Sequence, residues 1–141
     1  MVKKVLMIIA VFIMLLHPKV ISADKSKYIE IFDPKQDKVV KIVETNKEIN
    51  TMIVDWINKI DKVYAKVDPI KDDGYAIRFP LDSAIQVQNK WLDTTVEEVY
   101  LIVPENDLPF FMIFETESKL VCFPFTGEIK TLSNILDFRL R

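Results

Sequence analysis

The chain is short of the residues from which most catalytic and nucleotide-binding sites are made: among 141 residues there are two glycines, one histidine and one cysteine. Gly74 and Gly127 alone cannot form a glycine-rich phosphate loop or a dinucleotide fingerprint, which need several glycines so that backbone can approach a phosphate. A single cysteine excludes an internal disulfide framework and a zinc site built on thiolates. Cys122 lies in Leu120-Val-Cys-Phe-Pro-Phe125 with no neighbouring cation, so its thiol reads as a small core hydrophobe rather than a nucleophile. The one histidine, His17, falls in a segment expected to be removed, which leaves the serines and Cys122 without the usual base. Ser26, Ser83, Ser118 and Ser133 sit in turn-like or flanking contexts that suit backbone capping. Lys71-Asp72-Asp73-Gly74 offers two adjacent acids where a calcium loop needs ligands at alternating positions, and reads as a turn. Neighbouring acids such as Glu97-Glu98 point to opposite faces of a strand and do not form a facing acid and base. No catalytic, cofactor-binding or metal-binding residue is assigned, and the expectation is a protein that is not an enzyme.

What is present begins with the first 23 residues. Two lysines precede twelve uninterrupted apolar residues, Val5 to Leu16, which His17-Pro18-Lys19 interrupts before Val20-Ile21-Ser22-Ala23 ends in small residues. That order is a secretory signal peptide, with cleavage after Ser22 or Ala23. Twelve apolar residues fall short of the roughly 20 that span a bilayer, so cleavage is expected over an uncleaved anchor, and a membrane is a partner only if the segment stays. Removing residues 1–23 leaves 16 basic against 21 acidic residues and no run of Lys and Arg. Neither nucleic acid nor an anionic surface has an electrostatic footprint in such a sequence. Residues 24–141 are long enough for one domain with a core of its own.

Along that domain, Tyr28 to Phe32 and Val39 to Glu44 flank the turn Asp33-Pro-Lys-Gln-Asp37 and predict a hairpin. Thr45-Asn46-Lys47-Glu48 matches a capping box in which Thr45 accepts from the backbone. Ile49, Ile53, Trp56, Ile60, Tyr64 and Val67 then recur at helical spacing, predicting a long helix that Asp68-Pro69 ends. Residues 75–79 and 85–88 alternate, and Val96 to Val103, Phe110 to Thr116 and Leu120 to Phe125 follow with short links, as antiparallel neighbours do. Pro124 places its strand at an edge or a bulge. Thr131 is expected to cap a short helix holding Leu132, Ile135 and Leu136. The fold class is therefore α+β: a curved antiparallel sheet of five to seven strands, one long helix across it and a short C-terminal helix.

Both faces of the central strands are apolar. Val99, Leu101 and Val103 alternate with Tyr100 and Ile102, and Phe110, Met112 and Phe114 alternate with Phe111 and Ile113. The structural expectation is that the long helix covers one sheet face and the C-terminal helix the other. The functional alternative is a surface made from Tyr100, Ile102, Phe111 and Ile113, joined by Trp91 in the loop Gln88 to Thr95, that receives a partner chain or a second copy. The bland account of Trp91 is a ring folded over the end of the core.

The export signal, the helix bearing Trp56 and the run from Val99-Tyr-Leu-Ile-Val-Pro104 through Phe110-Phe-Met-Ile-Phe-Glu-Thr116 make the chain resemble the small uncharacterised exported proteins of Gram-positive bacilli. The resemblance is one of general organisation, rests on no specific motif and implies no site residue. The expected function is a non-enzymatic, protein-binding module, secreted or on the extracytoplasmic face of the envelope. Binding of a small apolar ligand between helix and sheet is the alternative, and an Asp/Glu-dependent hydrolase the third.

Overall fold

The computed structural model describes residues 27–65 and 72–141. The expected signal segment, and the expected helix end at Val67 to Pro69, lie outside those residues. Six strands follow in chain order: β1 (Tyr28–Asp33), β2 (Lys38–Glu44), β3 (Tyr75–Gln88), β4 (Asp93–Val103), β5 (Phe110–Thr116) and β6 (Lys119–Pro124). Helix α1 (Lys47–Asn58) lies between β2 and β3, and α2 (Ile129–Leu136) follows β6. The strands form one open antiparallel sheet in the order β2-β1-β3-β4-β5-β6. Pro124 accordingly sits on an edge strand, where its missing N–H costs no ladder bond.

The turns form where their side chains replace ladder hydrogen bonds. Asp33 Oδ1 accepts from the backbone N–H of Lys35 at 2.8 Å and of Gln36 at 3.3 Å, closing the β1–β2 hairpin. Asn89 Oδ1 does the same for Trp91 at 2.8 Å and Leu92 at 2.9 Å, so β3 and β4 are joined by residues 89–92 alone. Gly74 has φ +70°, and a Cβ there would meet the carbonyl oxygen of Val103 at 1.9 Å, so only glycine fits.

Residues 75–79 and 85–88 belong to one bent strand, not two. Pro80 opposes Glu98 and Ile85 opposes Val96, leaving residues 81–84 against Glu97 alone. Asn50 of α1 accepts from the N–H of Asp82 at 2.9 Å and ties this bulge to the helix.

Both helices depart from expectation. Asn46, not Thr45, caps α1, its Oδ1 accepting from the Ile49 N–H at 2.9 Å, while the Thr45 hydroxyl is buried with no hydrogen-bond partner. The helix spans 12 residues and stops before Lys59. Tyr64 has left helical geometry because its N–H donates to the Cys122 carbonyl of β6 at 2.8 Å and its ring packs 5.5 Å from that of Phe110. A tertiary strand-edge bond has overridden local periodicity. Helix α2 begins at Ile129 with Glu128 as N-cap, and Thr131 donates to Glu128 Oε2 at 2.7 Å instead of capping.

The two helices pack on the same sheet face, not on opposite ones. Ile49, Ile53 and Ile57 of α1 and Leu132 and Leu136 of α2 share one buried cluster with Ile31, Ile77, Leu101, Phe111 and Phe123. Those five are a single cross-strand row. The apolar stripes of the helices find an uninterrupted apolar face there, whereas the opposite face carries Glu30 and Arg78 at its centre.

Candidate functional site

Cross-strand register decides which expected contact residues meet. Opposed residues of antiparallel strands share a face. Tyr100 opposes Met112, and Ile102 opposes Phe110, whereas Phe111 opposes Leu101. Tyr100 and Ile102 therefore lie on the face away from the helices with Phe32, Ala76, Phe110 and Met112, while Phe111 and Ile113 lie in the helix-covered core. All four are at most 4% exposed. Trp91 is at the far end of the β3–β4 hairpin, half-buried against the core, with Lys90 Nζ 4.7 Å above its ring. The five residues do not form one surface.

The register also assembles a polar cluster that sequence reasoning missed. One row crosses the whole sheet on the face away from the helices: Ile42, Glu30, Arg78, Tyr100, Met112 and Cys122. Its charged half is bonded across three strands. Arg78 donates through Nη1 to Glu98 Oε2 at 3.0 Å and through Nη2 to the Tyr28 carbonyl at 3.2 Å, with Glu30 Oε1 at 3.5 Å. The Tyr100 hydroxyl donates to Glu98 Oε1 at 2.6 Å. The side chains of Arg78 and Glu30 are only 3% and 7% exposed, while Glu98 at 38% reaches solvent.

Burial raises the Glu30 pKa above the ordinary carboxylate value, outweighing the lowering by Arg78, and the charge of Glu98 pushes the same way. Glu30 Oε2 is buried and accepts no hydrogen bond. Burial, then the Glu98 carboxylate, raises the Tyr100 phenol well above its usual value, so it remains a donor. Chemically the cluster is a clamp: one guanidinium holds a carboxylate from each neighbouring strand and fixes their register. Its signal in the sequence was the polar phase of β1 and β3, where Glu30 and Arg78 alternate with core residues.

A different geometry occurs at α2. Asp137 takes a left-handed conformation, φ 48°, and the N–H groups of Asp137 and Phe138 return to Asn134 O and Ser133 O. The chain reverses there, and its tail is fastened at alternate positions. Phe138 meets the Tyr75 ring edge-on at 5.0 Å, and Leu140 is buried with its N–H donating to Ser133 Oγ at 3.2 Å. Arg139 and Arg141 are consequently exposed, Arg141 donating to the carbonyls of Pro104 and Asp107. Between helix and tail runs an open groove of about 700 Å³, lined by Lys130, Ser133, Asn134, Asp137, Arg139 and Arg141 with Ile129 and Phe138.

At the other helix, the cleft between the end of α1 and β6 measures only about 20 Å³, closed by Trp56 against Phe125 at 4.9 Å. That is room for little more than a water molecule. Among the described residues no group of three or more His, Cys, Asp or Glu side chains is arranged to hold a metal, and no helix is long and apolar enough to cross a membrane. Comparison with protein-family models, curated proteins and solved structures finds no match to this chain.

Proposed function

We propose that this chain is an exported, non-enzymatic domain that acts by binding a protein outside the cytoplasm, secreted or at the envelope. The observation that carries the reading is the groove between α2 and the C-terminal tail. Its volume of about 700 Å³ falls within the range of binding sites, and it combines apolar lining with a few side chains able to pair or hydrogen-bond. The walls are also anchored from beneath, by Leu132, Leu136 and Leu140 in the core, so the groove is pre-formed and binding need not order it. Export is supported by the charge, apolar length and small-residue ending of residues 1–23 and by the resemblance to exported proteins of Gram-positive bacilli. Trp91 remains a candidate second contact, since it is half-buried on a polar hairpin.

A photo-crosslinking residue at Asn134, and separately at Trp91, in the producing cell tests the reading. A discrete crosslink from position 134 to one protein, recovered from medium or envelope, is expected. Absence of a discrete crosslink from both positions overturns it. The intact mass of the native protein tests export separately: a species lacking 22 or 23 residues is expected, and a full-length membrane-bound species refutes cleavage.

A further inference from the structure

Building on the reading of the α2 groove as a protein-binding site, we propose that its occupant is an acidic segment of the partner chain, paired by Lys130, Arg139 and Arg141. Charge is segregated within the molecule. Among side chains, residues 129–141 hold three basic and one acidic, whereas residues 24–128 hold 13 basic and 20 acidic. The groove is thus the positive pole of an acidic body, and such a pole orients an approaching anion toward itself.

The single acidic side chain in the groove does not cancel this charge. Asp137 already faces Lys41 of β2, whose Nζ lies 3.8 Å from Asp137 Oδ2 and 3.3 Å from its carbonyl oxygen. Arginine choice points the same way. The chain has three arginines: Arg78 is spent on the buried strand clamp, and both others line this groove. A guanidinium presents a planar fork that matches a carboxylate, which a lysine ammonium does not. The alternate anchoring of Phe138 and Leu140 fixes the backbone of Arg139 and Arg141. Arg141 Nη2 is held by the Pro104 and Asp107 carbonyls and Arg139 Nε donates to the Arg141 carbonyl at 3.3 Å, so it is Nη1 of Arg141 and the Nη groups of Arg139 that the fold presents to a carboxylate. Asn134, exposed on the facing turn of α2, offers an amide that both donates to and accepts from a peptide backbone.

The test is a titration of the ¹⁵N-labelled full-length chain, kept in neutral detergent, with capped hexaglutamate, followed by amide chemical shifts. Expected are shifts concentrated in residues 129–141 and at Lys41 that weaken as salt is raised. The double variant Lys130→Gln/Arg139→Gln is expected to bind about tenfold more weakly, with the spectrum of the sheet unchanged. Unmoved amides in the groove, or shifts that the double variant retains, overturn the proposal. Inorganic phosphate moving the same amides at equal concentration also overturns it, by making the groove a general anion site. A crosslink from Asn134 to a protein, together with a spectrum indifferent to hexaglutamate, refutes the acidic occupant while leaving the binding reading intact.

Discussion

The two faces of the sheet are built from the same strands by opposite means. On the helix-covered face Ile31, Ile77, Leu101, Phe111 and Phe123 form a continuous apolar row beneath α1 and α2. On the other face the neighbouring row passes from Glu30 and Arg78 into Tyr100 and Met112, and its polar half is held by charge-assisted hydrogen bonds. The first face tolerates any apolar partner of suitable shape, because burial is non-directional. The second does not, because each buried charge must meet a particular atom on a particular strand. Specific register therefore resides on the face without helices, and bulk stabilisation on the face with them.

The comparison breaks most severely at Arg78. Arg78→Ala leaves the buried Glu30 and its neighbour Glu98 without their shared cation, and a loss of about 3–5 kcal/mol is expected by denaturant titration. Replacing a helix-face residue creates a cavity but strands no charge. Ile53→Ala, at a fully buried position, is expected to cost about 2–4 kcal/mol with the sheet's register intact, as judged from unchanged backbone amide shifts in β1 and β3.

The smallest effect sharpens the contrast. The Glu30 pKa is raised in the fold, so between the unfolded value near 4.5 and the raised folded value the native state holds more protons than the unfolded one. This group's contribution therefore becomes less favourable as pH rises through that window. Glu30→Gln is expected to match the parent near pH 4.5 and to gain on it toward pH 8, by about 1.4 kcal/mol for each pH unit by which the carboxyl is raised. Unfolding titrations at the two pH values, followed by tryptophan fluorescence, check the sign; a variant that loses stability with rising pH relative to the parent shows that Arg78 outweighs burial.

Much of the architecture was legible because it is local. Asp33 and Gly74 mark turns by their own chemistry, Pro124 marks an edge or a bulge, and the alternation in β4 and β5 is complete without reference to other strands. The helix stripe at Ile49, Ile53 and Ile57 was equally plain. The continuation through Ile60 and Tyr64 misled, since Tyr64 is recruited by the edge of β6, some 60 residues away in sequence. The candidate surface misled for a related reason. Tyr100 and Phe111 belong to apolar phases of adjacent strands, and only pairing shows that the phases lie on opposite faces. The cations of the groove, Lys130, Arg139 and Arg141, lie within twelve residues, but the chain reversal at Asp137 is what turns them toward a common groove.

By itself, then, the sequence determined an α+β class, the positions of most strands, the start of a helix after β2 and a composition poor in glycine, histidine and cysteine. Those follow from periodicity, from turn stereochemistry and from composition, each a property of residues close together in the chain. Tertiary structure alone decided that both helices share one face, that Glu30, Arg78, Glu98 and Tyr100 meet, and that Lys130, Arg139 and Arg141 line a common groove. Each of these depends on register or on a chain reversal. A one-residue shift in pairing sends a side chain to the other face, so no reading of a single strand can supply that information.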